Sequence, residues 1–122
     1  MTKNFSISEF KCKCNKCDIP EDVKMNLQTL ANNLQIIREH INRPISINSG
    51  YRCESHNKKI KGAKNSFHVK GMASDITVSG LTPKQVFDII EGLMDKGLII
   101  KGGLKAYSSW VHYDLRGRKV KY

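Results

Sequence analysis

Ser66-Phe-His-Val-Lys-Gly-Met-Ala-Ser-Asp75-Ile-Thr-Val78 is the stretch on which the reading of this chain turns. Residues 61–74 are rich in Gly, Lys, Asn and Ser and predict an irregular loop carrying His68, while Asp75-Ile-Thr-Val78 predicts a strand. A loop of that length can fold so that His68 and Asp75 reach one point. Farther on, Trp110-Val-His-Tyr-Asp-Leu115 predicts a last strand. Alternation then places Trp110, His112 and Asp114 on one face, with Val111 and Tyr113 on the other. Two imidazoles and one carboxylate, His68, Asp75 and His112, are the usual protein ligands of a catalytic zinc ion, which keeps its fourth position open for water. A structural zinc site is normally closed by four ligands, mostly cysteines, so this set points to hydrolysis rather than scaffolding.

The elements around these residues give an α+β pattern. Ser6-Ile-Ser-Glu9 fits a capping box and predicts a short helical turn. Ile19-Pro20 followed by Glu21-Asp22 marks the entry to a longer helix, and Leu27, Leu30, Leu34, Ile37 and Ile41 form one apolar stripe along it, for core packing. That helix should stop before Pro44. Pro44-Ile-Ser-Ile-Asn48 predicts a short strand running into the turn Ser49-Gly50, and residues 54–60 a brief helix. Thr82-Pro83 caps a second amphipathic helix, with Val86, Ile89, Ile90, Leu93 and Met94 on its apolar face and Gly97 at its end. Leu98-Ile-Ile100, Gly102-Gly103 and Leu104 to Tyr107 predict strand, turn, strand. Short links between the final strands favour antiparallel pairing, so the expectation is a small antiparallel sheet packed by two or three helices.

At 122 residues the chain is expected to be one domain, 1–122, with residues 1–20 as its cysteine-bearing N-terminal segment. With 39% hydrophobic and 26% charged residues it has the composition of an ordinary globular protein. No apolar run predicts a membrane span or a signal peptide. The expectation is synthesis in the cytoplasm, with any extracellular role reached after lysis or within a larger particle. A formal net charge of +10 favours polyanionic partners, either nucleic acid or an anionic cell-wall polymer, or else is a solvated surface that aids solubility. Cys12, Cys14 and Cys17 cluster, and Cys53 follows Arg52. Together they can close a second, structural metal site, although the Cys-x-Cys-x-x-Cys spacing is tighter than in common zinc modules; reduced thiols and a disulfide are the other readings. His40 and His56 are taken as surface or packing residues.

Ser49-Gly-Tyr-Arg52, His56-Asn57, Gly62-Ala-Lys-Asn-Ser66-Phe-His68, Gly71-Met-Ala-Ser-Asp75-Ile and Val111-His-Tyr-Asp-Leu-Arg116 closely resemble the zinc D-Ala-D-Ala carboxypeptidases of the M15 type. That family includes bacteriophage endolysins and D-alanyl-D-alanine dipeptidases, and the resemblance covers about residues 5–117. It implies the DD-peptidase/Hedgehog-like fold, a zinc ion held by His68, Asp75 and His112, and a peptidoglycan stem peptide as substrate. It also implies that Arg52 stabilises the oxyanion of the scissile carbonyl and that Ser66 contacts the substrate's terminal carboxylate. The plainer readings are a salt bridge from Arg52 to Glu54 or Asp75, and a loop hydrogen bond for Ser66.

One position departs from the family pattern. Many relatives carry an acidic catalytic base three residues before the last ligand, where this chain has Ser109, a poor base; others carry a histidine two residues before, where it has Trp110. Asp114 is the acid best placed by strand alternation to accept a proton from bound water, to steady His112, or simply to pair with Arg116. Either Asp114 takes over the base role, or water is activated differently, or the protein binds without cleaving. The expected activity is therefore zinc-dependent hydrolysis of a D-Ala-D-Ala or L-Ala-D-Glu bond by a monomer in phage or prophage lysis. The competing expectation is a non-hydrolytic wall-peptide-binding module. A sequence-specific nucleic-acid role leaves the His68–Asp75 spacing without a purpose.

Overall fold

The computed structural model describes residues 1–122. A 3-10 turn, Ile7–Phe10, opens the chain, with the Glu9 carboxylate accepting the Ser6 N–H at 2.8 Å. Helix α1 spans Glu21–Ile41 and ends at Asn42, whose φ of 56° is the left-handed conformation that closes many helices. Its stripe packs as its spacing requires: Leu27, Leu30, Leu34 and Ile37 are fully buried, each contributing about 1.5–3 kcal/mol. Strand β1 (Ile45–Ser49), the short helix α2 (Glu54–Lys59), strand β2 (Ala73–Val78) and helix α3 (Pro83–Asp95) follow. At the start of α3 the Thr82 hydroxyl accepts from Gln85 N–H and the Gln85 side chain accepts from Thr82 N–H, so two otherwise orphaned donors are satisfied. Strands β3 (Gly103–Ala106), β4 (Val111–Asp114) and β5 (Val120–Lys121) complete the α+β architecture, and no helix is long and apolar enough to cross a membrane.

The five strands lie in the order β1-β2-β4-β3-β5. Every pair is antiparallel except β3 with β5, so the sheet is mixed, not purely antiparallel as expected. The two-residue β5 adds to the free edge of β3, with Gly103 opposite Val120. Leu98–Ile100, expected as a strand, joins no ladder. Leu98 N–H instead turns back to Leu93 C=O at 3.0 Å, Ile100 N–H donates to Asn33 Oδ1 at 2.8 Å, and Ile100 C=O accepts the Tyr113 hydroxyl at 2.6 Å.

The pleat sorts the sheet into two faces. Ile76, Val78, Leu104, Val111 and Tyr113 join the apolar sides of α1 and α3 in one buried core. Asp75, His112 and Asp114 project from the other face, where the loop between α2 and β2 folds over them.

Candidate metal centre

Strand register brings the first two groups together. Asp75 of β2 is the Cα partner of His112 of β4, so their side chains stand side by side on one face. His68 arrives from the loop, held by its own backbone: Arg52 N–H donates to His68 C=O and Gly71 N–H to the same carbonyl, at 3.1 and 3.2 Å. All three side chains are largely buried. His68 Nε2 lies 3.4 Å and His112 Nδ1 3.3 Å from Asp75 Oδ1.

The remaining ring nitrogens determine what those contacts mean. His68 Nδ1 is 2.9 Å from the Gly50 carbonyl, which can only accept, so Nδ1 carries the proton and Nε2 a bare lone pair. His112 Nε2 is 2.8 Å from Asp114 Oδ2, and by the same reasoning Nδ1 is bare. Two lone pairs and a carboxylate oxygen therefore converge with no proton between them. Such a set can hold a cation. A tetrahedral ion with ligands at about 2.0–2.1 Å places them about 3.3 Å apart, and the observed separations match. The ligand atoms of His68, Asp75 and His112 all lie within 4.8 Å of one another. Burial alone would raise the Asp75 carboxyl and lower His112, yet the neighbouring His112 and His68 imidazoles hold Asp75 well below the usual carboxylate range, so it offers a charged oxygen. Asp114 and Asp75 push His112 upward, so a proton competes with a cation for its Nδ1.

Asp114 is fully buried and lies outside the cavity wall. Its Oδ1 accepts from Gly103 N–H at 2.8 Å, Arg116 N–H at 3.1 Å and Arg116 Nε at 2.9 Å. Its Oδ2 accepts from Arg116 Nη2 at 2.7 Å and from His112. Those bonds outweigh burial and depress its pKa. A carboxylate offers about four lone-pair positions, and these donors engage both oxygens. Of the roles the sequence left open, the geometry suits steadying His112 and pairing with Arg116. Close packing enforces this arrangement: a Cβ on Gly103 would run into both the Asp114 carboxylate and the Arg116 guanidinium.

Arg52 does form the ion pair with Asp75, Nη2 to Oδ2 at 3.1 Å, and its guanidinium is also held by Ser49 Oγ at 3.0 Å and Asn57 Oδ1 at 3.3 Å. Three of its five donors are thus engaged and the group still lines the cavity. Glu54, the other suggested partner, is not bonded to it. Ser66 Oγ accepts His68 N–H at 3.1 Å, a loop hydrogen bond that leaves its own proton free at the cavity wall.

These residues line an open cavity of about 530 Å³. Of its walls, Tyr107, Tyr122 and Lys61 are groups the sequence did not single out. Tyr107 stacks on Trp110 with ring centroids 4.7 Å apart, Tyr122 meets the His112 ring edge-on, and Lys61 and Arg116 add positive charge. Asp75 is the only carboxylate in that lining. Asn57, which orients Arg52, was visible only as part of a motif. Ser109 is exposed and borders a separate small cleft beside α3. His40 is exposed at the end of α1, and His56 sits half-buried in α2, outside the cluster. Cys12, Cys14, Cys17 and Cys53 meet at a second point.

A search of curated proteins finds no match to the chain. The family model described as Peptidase M15, by contrast, matches residues 3–114, which takes in β1 to β4 and the whole histidine–aspartate cluster; on that match the chain belongs to the M15 peptidase family.

Proposed function

We propose that this M15-family peptidase is a zinc-dependent hydrolase of peptidoglycan stem peptides, cutting a D-Ala-D-Ala or L-Ala-D-Glu bond. We further propose that it works as a single monomeric domain in phage or prophage lysis, meeting the wall after lysis or as part of a virion. The observation that carries this reading is the convergence of His68 Nε2, Asp75 Oδ1 and His112 Nδ1 in an open cavity beside Arg52. When bound there, zinc supplies Lewis acidity and water of lowered pKa.

The chain's own residues do the rest. Arg52, fixed by Ser49, Asn57 and Asp75, turns its free N–H donors on the substrate carbonyl and stabilises the negative charge that develops on it. Ser66 donates its free proton to the substrate's carboxylate. Lys61 and Arg116 give the cavity a positive rim suited to a peptide bearing carboxylates, and the net charge of +10 favours approach to an anionic wall polymer. Asp114 acts through His112, keeping Nε2 protonated and Nδ1 free.

Wall digestion with and without chelator tests the proposal. Peptide release that stops with chelator and returns with zinc is the expected outcome. One observation favours a second reading, a wall-peptide-binding module: Asp75 is the only carboxylate lining the cavity, and both its oxygens are engaged. Zinc-dependent binding to wall material without any release selects that module.

Asp114→Asn separates positioning from proton transfer. The variant is expected to bind zinc about 10–100-fold more weakly, since a carboxylate behind a ligating histidine contributes on that scale. Activity should return when zinc is raised to saturation. Activity that stays low in a variant shown by metal analysis to be filled would make Asp114 the proton acceptor after all.

A further inference from the structure

The cysteine cluster lies apart from the cavity and has no part in the hydrolysis described above. Cys12, Cys14, Cys17 and Cys53 are all free thiols, brought together from the segment after the 3-10 turn and from the N-terminus of α2. Their sulfurs lie 3.8 Å apart for Cys12 and Cys53, 3.9 Å for Cys53 and Cys14, and 3.3 Å for Cys14 and Cys17. All four are within 4.8 Å of one another. Four thiolates at about 2.3 Å from a central ion stand about 3.8 Å apart, so the cluster has the dimensions of a closed tetrahedral site.

Three further features fit thiolates around a cation better than four neutral thiols in a core. Backbone N–H groups point at the sulfurs: Lys16 at Cys14, Cys53 at Cys12 and His56 at Cys53, each at 3.4 Å. Such donors stabilise negative sulfur and orient it. Asn15 turns through the left-handed region, φ 58°, which lets Cys14 and Cys17 present their side chains to the same point. Only Cys12 is buried, and the exposed Lys11, Lys13 and Lys16 alternate with these cysteines along the chain, a local positive charge that opposes what four thiolates leave on a divalent ion.

We infer that these four cysteines bind a second zinc ion, a structural one, which clamps the N-terminal segment to the strand-to-helix segment bearing Arg52. Binding releases the four thiol protons to solvent and leaves no position open for water. The clamp reaches the catalytic cavity through the backbone. Cys53 follows Arg52 directly, and Tyr51 N–H donates to Phe10 C=O at 2.9 Å. Gly50, whose carbonyl sets the tautomer of His68, packs so closely that a Cβ there would stand 2.8 Å from Phe10 Cα.

The test is a metal count with cobalt(II) as a spectroscopic probe, and it needs no activity. Wild-type protein is expected to hold two zinc ions per chain. The double variant His68→Ala/His112→Ala should keep one, and after cobalt exchange should show the intense charge-transfer absorption of thiolate ligands. Cys14→Ser/Cys17→Ser should also keep one, without that absorption. If this second variant does not fold, the histidine variant alone decides. No metal and no thiolate band in that variant overturns the inference, as does wild-type protein whose cysteines, unfolded without reductant, fail to titrate as thiols because they are paired as disulfides. Loss of peptide release with both ions present would instead count against the hydrolase reading and leave the cysteine site standing.

Discussion

Replacing His112 by alanine is expected to remove the catalytic-site metal and to reduce peptide release to background. The reason lies in what one imidazole does here. Its Nδ1 completes the cation-seeking set with His68 and Asp75, and its Nε2–H occupies Asp114. Two remaining ligands do not hold zinc against solvent, and no other histidine is near enough to substitute, since His56 lies outside the cluster and His40 is exposed on α1. Asp114 keeps its bonds from Arg116 and Gly103, so the sheet should survive the change. Metal analysis and a thermal melt alongside the digestion assay separate loss of the ion from loss of the fold. A folded variant that still releases peptide at a substantial fraction of the wild-type rate sinks the metal reading, while His40→Ala serves as the silent control.

The second large effect is expected at Arg52. Arg52→Lys keeps the charge beside Asp75 but gives up the planar fork that reaches Ser49, Asn57 and Asp75 at once. A lysine ammonium is a point charge on a flexible stem and cannot hold three partners while aiming further donors at a substrate. Losing an oxyanion donor of this kind costs about 10²–10³-fold in kcat. The zinc content should be unchanged, because the three ligands are untouched, and KM should change far less than kcat, because the interaction strengthens as charge develops. An unaltered kcat would confine Arg52 to its ion pair with Asp75, the plainer role that the sequence also allowed.

Much of this is legible in the sequence because it rests on local periodicity. The α1 stripe and the Thr82 cap each depend on residues within a few positions of one another, and the alternation along β4 places Trp110 and His112 at the cavity while Tyr113 enters the core. The Leu98–Ile100 run misled for a reason local patterns cannot show: the backbone of Ile100 bonds to the side chains of Asn33 and Tyr113, outside its own stretch of sequence. Strand β5 is two residues long and has no period to detect, and its pairing turned an expected antiparallel sheet into a mixed one. The same limit applies to Asp114. Sequence places it on the face of His112, but only the six hydrogen bonds it accepts distinguish a buried brace from an acid open to water.

The pairing of Asp75 with His112 across β2 and β4 has a consequence for how the molecule comes to be competent. Side chains alternate along a strand, so sliding one of these strands by a single residue would turn its donor toward the hydrophobic interior and leave its neighbour outside. Misaligned molecules would be chemically inert. Assembly of the pocket and correct alignment of the sheet are thus one event, and the fraction of a preparation able to take up an ion at the histidine–aspartate cluster, as distinct from the cysteines, would report how much of it has folded in register.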